Sequence, residues 1–136
     1  MADADSAVRL DAFGRIGFKL YMTTILNKGH SHGIGDGEVV ILPVTARDEE
    51  WQPTTQESMF NYVRLSDGGI TRLKDVRPES DILCDIAARL LPTSPIDFPA
   101  FKQHRTIREA IARIVPGMED LADIDFAKRR FHLRGR

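Results

Sequence analysis

The stretch FKLYMTTILNKGHSHGIGDGEVVILPV, residues 18–44, decides how this chain folds. Its opening FKLYMTTIL (18–26) is rich in aromatic and β-branched side chains and reads as a strand. NKGHSHGIGDG (27–37) carries Gly29, Gly33, Gly35 and Gly37 and reads as a loop. EVVILPV (38–44) is an unbroken apolar run of the kind that suits a strand covered on both faces, as in parallel sheets. Neighbouring parallel strands need a crossover of about a dozen residues, which the loop and the frayed end of the first strand supply. The stretch therefore predicts two adjacent parallel strands joined by a helix-poor crossover.

The flanking segments place this unit within an α/β fold. Ala7, Val8, Leu10, Ala12 and Phe13 give residues 4–15 a helical pattern, closed by Gly14 and Gly17. Residues 45–77 read as irregular: TARDEEWQPTTQESM is polar, FNYVRL (60–65) suits a short strand, and SDGG (66–69) is a turn. A segment of this length with little regular structure is usually functional or packed on a partner. Residues 78–127 read as helices. Pro78 suits a first helical position, and Glu79 and Asp81 follow where negative charge meets the positive end of the helix dipole. Ile82, Leu83, Ile86, Ala87, Leu90 and Leu91 recur at helical spacing up to Pro92. Ile107, Ala110, Ile111, Ile114 and Val115 mark a second helix, stopped by Pro116-Gly117, and a shorter one is predicted over 118–127. The tail KRRFHLRGR (128–136) is basic. The predicted architecture is a single α/β domain over 1–136, with a small parallel-strand core and a helical C-terminal third.

Composition narrows the class. The 136 residues are 42% hydrophobic and 29% charged, and 19 Lys+Arg against 20 Asp+Glu leave a formal net charge of -1. That balance argues against a dedicated nucleic-acid binder, which shows a basic excess. No apolar run approaches the ~20 residues of a bilayer span, and MADADSAVRL has no secretory h-region. The one cysteine, Cys84, cannot form an internal disulfide. Together these features predict a cytoplasmic protein that neither crosses a membrane nor binds nucleic acid.

Individual motifs carry little chemistry when weighed against bland alternatives. His30 and His32 form an H-x-H pair near Asp36 and Glu38, a spacing that suits a divalent metal, but histidines in a polar loop are more often solvated. Gly33, Gly35 and Gly37 resemble a phosphate loop, yet the loop leads into a strand and not into the helix that such motifs require. Its position beyond a strand's C-terminal end is the stronger signal, because open parallel sheets bind ligands there. Glu49, Glu50 and Glu57 lack a partnered histidine at a justifiable spacing. Cys84 reads as a small core residue and not as a nucleophile. Lys128, Arg129, Arg130, Arg134 and Arg136 read as a solvated end, or as a strand continuing into further sequence, more readily than as a phosphate grip.

The order of motifs adds what no single motif does. TTILNKGH, EVVILPV, RDEEWQPTTQES, FNYVRLSDGG, PESDILCDIAARLL and HRTIREAIARIVPGMEDL follow one another. In this order, over roughly residues 18–136, the chain resembles an internal stretch of the molybdopterin oxidoreductases, in the branch similar to formate dehydrogenase alpha subunits. Glu38 to Pro43 match that family's A-D-V-V-L-P strand. Thr55-Gln56-Glu57-Ser58 match its acidic T-N-x-E segment loosely, Ser66 to Gly69 its S-x-G turn, and Ser80 to Leu90 its D-W-x-I-x-x-x-L-A helix. Ile111 to Met118 resemble its I-x-x-x-x-P-x-F element. The chain departs from the pattern at Ser58-Met59, where an Arg commonly stands, and at Thr23 and Thr24, where relatives often place an acid. The family's enzymes are also much larger, with their iron–sulfur cysteines, metal-ligating residue and closing C-terminal domain outside this stretch.

The resemblance implies a part of an enzyme that moves two electrons to or from a small substrate such as formate. Such enzymes use a pterin guanine dinucleotide around molybdenum or tungsten. It makes Thr23, Thr24, Asn27 and His30 the cofactor-facing positions, with Gln56 and Glu57 lining the same cleft. Hydroxyl, amide and imidazole groups suit a ligand with many polar edges. The partners it implies are the missing parts of the molybdoenzyme, or self-association. The rival readings are a non-catalytic protein-interaction module derived from that family and, behind it, a nucleic-acid binder acting through the basic tail.

Overall fold

The computed structural model describes residues 6–32, 35–58, 61–126 and 129–133. The chain forms two compact units, Met1–Val44 and Thr45–Arg136, where the sequence suggests one domain.

The first unit is the predicted strand–crossover–strand. Helix α1 spans Ser6–Gly14, strand β1 Phe18–Thr23, and strand β2 Glu38–Pro43. The two strands pair in parallel, with Phe18 opposite Glu38 and Thr23 opposite Pro43. β1 stops at Thr23 and does not continue to Leu26. The Thr23 hydroxyl accepts from the Ile25 amide at 3.3 Å and donates to the Ile25 carbonyl at 2.8 Å, turning the chain out of the ladder. The crossover is not purely loop: Lys28–His32 form one helical turn, α2. The expectation of strands covered on both faces also needs correcting. Ile41 is 39% exposed and Phe18 57%, so this pair presents apolar surface outward.

Gly35 and Gly37 seat the returning chain against α1's exit. A Cβ on Gly35, which has φ +54°, would stand 2.5 Å from the Gly14 carbonyl oxygen, and one on Gly37 2.5 Å from that of Ile16. With no Cβ in the way, the Glu38 amide reaches the Gly17 carbonyl at 2.8 Å and β2 begins in register.

In the second unit, part of the segment read as irregular is a hairpin. Strand β3, Thr54–Ser58, pairs antiparallel with strand β4, Tyr62–Ser66, which is the strand anticipated in FNYVRL. Strand β5, Arg130–His132, lies within the tail read as a solvated end or a strand, and pairs with β4's other edge. Its Phe131 is the reason: it joins Val63, Leu121 and Ile124 in a buried cluster, against which Leu65, Ile111 and Met118 pack. Helices α3, Glu79–Leu90, and α4, His104–Ile114, match the predicted pair. Pro78 stands just before α3's first helical residue and not at it; its side chain makes no capping bond, and its carbonyl accepts from the Ile82 amide at 3.2 Å. Residues 118–127, predicted as a short helix, hold a 3₁₀ turn at Glu119–Asp123. A second 3₁₀ turn, Phe98–Lys102, leads into α4. The fold is therefore mixed α/β with a small parallel sheet, and no helix of the described residues is long and apolar enough to cross a membrane.

Candidate functional site

In the first unit, polar groups gather just beyond the C-terminal end of β1. Asn27 begins the α2 turn, and its Oδ1 accepts from the Gly29 amide at 2.8 Å. The Asn27 amide donates to His30 Nδ1 at 3.0 Å, and the His30 amide to the Asn27 carbonyl at 3.1 Å. A backbone amide can only donate, so Nδ1 is the unprotonated ring nitrogen. The His30 ring meets Tyr21 edge-on, 5.1 Å between centroids and 87° between planes. Tyr21 in turn neighbours Phe13 of α1, and its buried hydroxyl makes no hydrogen bond among the described residues. Thr23 is half-buried and Thr24 exposed.

Thr23, Thr24, Asn27 and His30 therefore lie in one stretch at one sheet edge. Asn27 and His30 spend one polar edge each on their own turn, leaving the Asn27 amide nitrogen and His30 Nε2 outside these bonds. Gln56 and Glu57 lie on β3 in the other unit. Gln56 accepts from Arg64 Nε at 3.3 Å across the hairpin, and Glu57 stands opposite Val63. Successive strand residues project to opposite faces, so this pair does not line one cleft together.

The glycine spacing is accounted for by the backbone approaches of Gly35 and Gly37; Gly33 lies outside the described residues. So does the side chain of His32, and His30 Nδ1 is occupied by the Asn27 amide. No group of three or more His, Cys, Asp or Glu able to hold a metal occurs among the described residues. Of the basic tail, Arg129 pairs with Asp67 and Arg130 lies in β5, while Lys128, Arg134 and Arg136 are outside the described residues. Cys84 is buried, and burial, with Asp81 nearby, pushes its thiol pKa up, as an inert core position requires.

The second unit holds a buried polar network that sequence reading missed. Glu50 does have a histidine: His104 Nε2 lies 3.9 Å from Glu50 Oε2, with both side chains about nine-tenths covered. His104 Nδ1 meets the Pro53 carbonyl at 3.2 Å, and Ser80 Oγ lies 3.2 Å from Nε2. Gln52 accepts from the His104 amide at 2.9 Å and donates to the Lys102 carbonyl at 2.8 Å. Arg108, one turn along α4, donates to the same Pro53 carbonyl at 3.1 Å and clasps both Asp125 oxygens at 2.7 Å. Gln52 and Pro53 stand some fifty residues from Lys102, His104 and Arg108 in sequence, beyond any spacing rule. The only local signal is a histidine at the start of an amphipathic helix.

No protein-family model matches the chain, and no solved structure matches it. Over 128 residues it is 33% identical to an uncharacterized oxidoreductase of Mycobacterium bovis, and to the same degree to uncharacterized oxidoreductases of two Mycobacterium tuberculosis strains. The match takes in 88% of this chain but 16% of each relative. The chain is thus related to one segment of larger proteins that bear the name oxidoreductase.

Proposed function

We propose that this chain is a portion of a molybdopterin-dependent, formate dehydrogenase-like oxidoreductase. It contributes one wall of the cleft for a pterin guanine dinucleotide and does not catalyse redox chemistry by itself. The observation that carries the reading is the parallel β1–β2 pair with its polar turn beyond the strand ends, the edge at which open parallel sheets take ligands. The oxidoreductase names of the mycobacterial relatives support its coarser part. The donor set suits the cofactor. Thr24 offers a hydroxyl, Thr23 the remaining lone pair of a hydroxyl already bonded to Ile25, Asn27 an amide and His30 an imidazole, and the buried Tyr21 hydroxyl, unpartnered among the described residues, is an orphan that a polar-edged ligand satisfies. When bound, the cofactor's molybdenum or tungsten supplies two-electron chemistry. This chain's residues bind and orient; its lone buried Cys84 cannot build an iron–sulfur ligand set.

Titrating the full chain with GDP, as surrogate for the dinucleotide, should shift the amide resonances of Thr23, Thr24, Asn27 and His30. Asn27→Ala and His30→Ala should each weaken binding by about two- to tenfold, the worth of one hydrogen bond. A titration that stays flat to millimolar GDP overturns the reading.

A second reading, a non-catalytic interaction module, is favoured by the outward apolar surface of the first unit. Phe18, Ile25, Leu26 and Ile41 are all exposed around a sheet of only two strands. A sheet this small needs further strands or a covering surface for independent stability, and the remainder of the oxidoreductase or a second copy of the chain is the partner proposed for it.

A further inference from the structure

We propose that Glu50, Ser80 and His104 form a binding site for one divalent cation of the zinc class, independent of the dinucleotide reading. A buried carboxylate oxygen with no hydrogen bond is costly, and among the described residues Glu50 Oε2 is such an atom, in a residue only 8% exposed. It faces His104 Nε2 at 3.9 Å. A carbonyl only accepts, so the contact with the Pro53 oxygen places a proton on Nδ1. In the neutral ring Nε2 then keeps its lone pair, which accepts the Ser80 hydroxyl proton and would turn to a metal in its place.

Both ligands are braced from behind, as metal-bound groups are. The far nitrogen of the imidazole donates to a backbone carbonyl, and the far oxygen of the carboxylate, Glu50 Oε1, accepts from the Thr45 hydroxyl at 2.8 Å. Zinc–nitrogen and zinc–oxygen bonds of about 2.0–2.2 Å together exceed the gap, so one ion reaches both atoms, and a tetrahedral angle asks them to approach by roughly half an ångström. Ser80 Oγ, 3.2 Å from Nε2, is the third donor, and solvent is the fourth. Imidazole with carboxylate and hydroxyl oxygen is a donor set for zinc and its neighbours more than for magnesium or calcium.

The nearest opening lies beside the three ligands and is not lined by them. Thr45 and Pro78 line an open groove of about 160 Å³, together with Glu49, Trp51, Arg72 and Val76. Thr45 touches Glu50 directly, and Pro78 stands two residues before Ser80.

The test uses the full chain stripped with a chelator. Zinc titrated by calorimetry should bind at one equivalent and raise the melting temperature, and cobalt(II) should give the visible absorption of a four-coordinate nitrogen–oxygen site. His104→Gln and Glu50→Gln should weaken binding at least tenfold, whereas Cys84→Ser should leave it unchanged. Should those variants fold poorly, ¹⁵N resonances of the wild-type imidazole decide: zinc should shift His104 Nε2 while the Nδ1 proton stays in place. Absence of saturable one-equivalent binding overturns the proposal. So does equal affinity in folded His104→Gln, or a His104 ring that carries protons on both nitrogens with zinc present.

Discussion

Arg108 shows how much a single side chain holds together here. It is 5% exposed, yet it binds Pro53 and both oxygens of Asp125. Removing one partner of such a buried pair strands the other without solvent. Asp125→Ala should therefore cost about 3 kcal/mol in urea unfolding, with Arg108→Lys also destabilising because one ammonium does not replace the two guanidinium nitrogens that hold Pro53 and Asp125 separately. Asp85 is the opposite case, an exposed carboxylate whose pKa is held at about 2 by Lys102 and Arg77, each 2.5 Å away. Its folded value is depressed, so its contribution is full above the ordinary value of 3.8 and is lost as pH falls toward about 2. A pH series of unfolding midpoints should show that acid loss, and Asp85→Asn should flatten it in that window. Neither residue announces itself in sequence, where Arg108 and Asp85 read as polar-face positions of amphipathic helices. Cys84 was legible as core because its neighbours Leu83 and Ile86 follow helical spacing, whereas Glu50 and His104 were not, because only tertiary folding joins them.

The elements were legible where a local rule governs them. β2 and α3 announce themselves by composition and period, and Pro116-Gly117 marks the end of α4 in the chain and in the structure. β1's early end was not legible, since it depends on a hydroxyl of Thr23 turning back on Ile25. β3 was hidden for a different reason: TTQES has no apolar alternation, and its pairing is dictated by β4. β5 was legible only as one of two readings of the tail, because Phe131 alone anchors a strand of three residues. Ile124, fully buried in the cluster with Val63 and Phe131, is the packing point of these elements. Ile124→Ala should cost about 3 kcal/mol in chemical denaturation, the usual loss for a large aliphatic side chain in a core. The candidate dinucleotide edge was legible as a place, through the parallel strands, but not in detail, since the α2 turn that occupies Asn27 and His30 carries no signature beyond Asn at its start.

On the scale of the whole molecule, the first unit gathers few buried groups while leaving Phe18, Ile25, Leu26 and Ile41 outward. Light scattering should accordingly find concentration-dependent self-association, with Ile41→Lys moving the equilibrium toward monomer; a wild-type chain that stays monomeric at high concentration contradicts this expectation. The second unit carries another kind of vulnerability, set by the order of its sheet, β3-β4-β5. Both of the outer strands pair with β4, but β5 is separated from it by the whole helical region. During synthesis on the ribosome, β4 emerges early and its far edge has no mate until Phe131 has left the exit tunnel. Translation pausing anywhere in that interval leaves a sticky hydrogen-bonding template on the nascent chain, and holding chaperones are expected to engage it there.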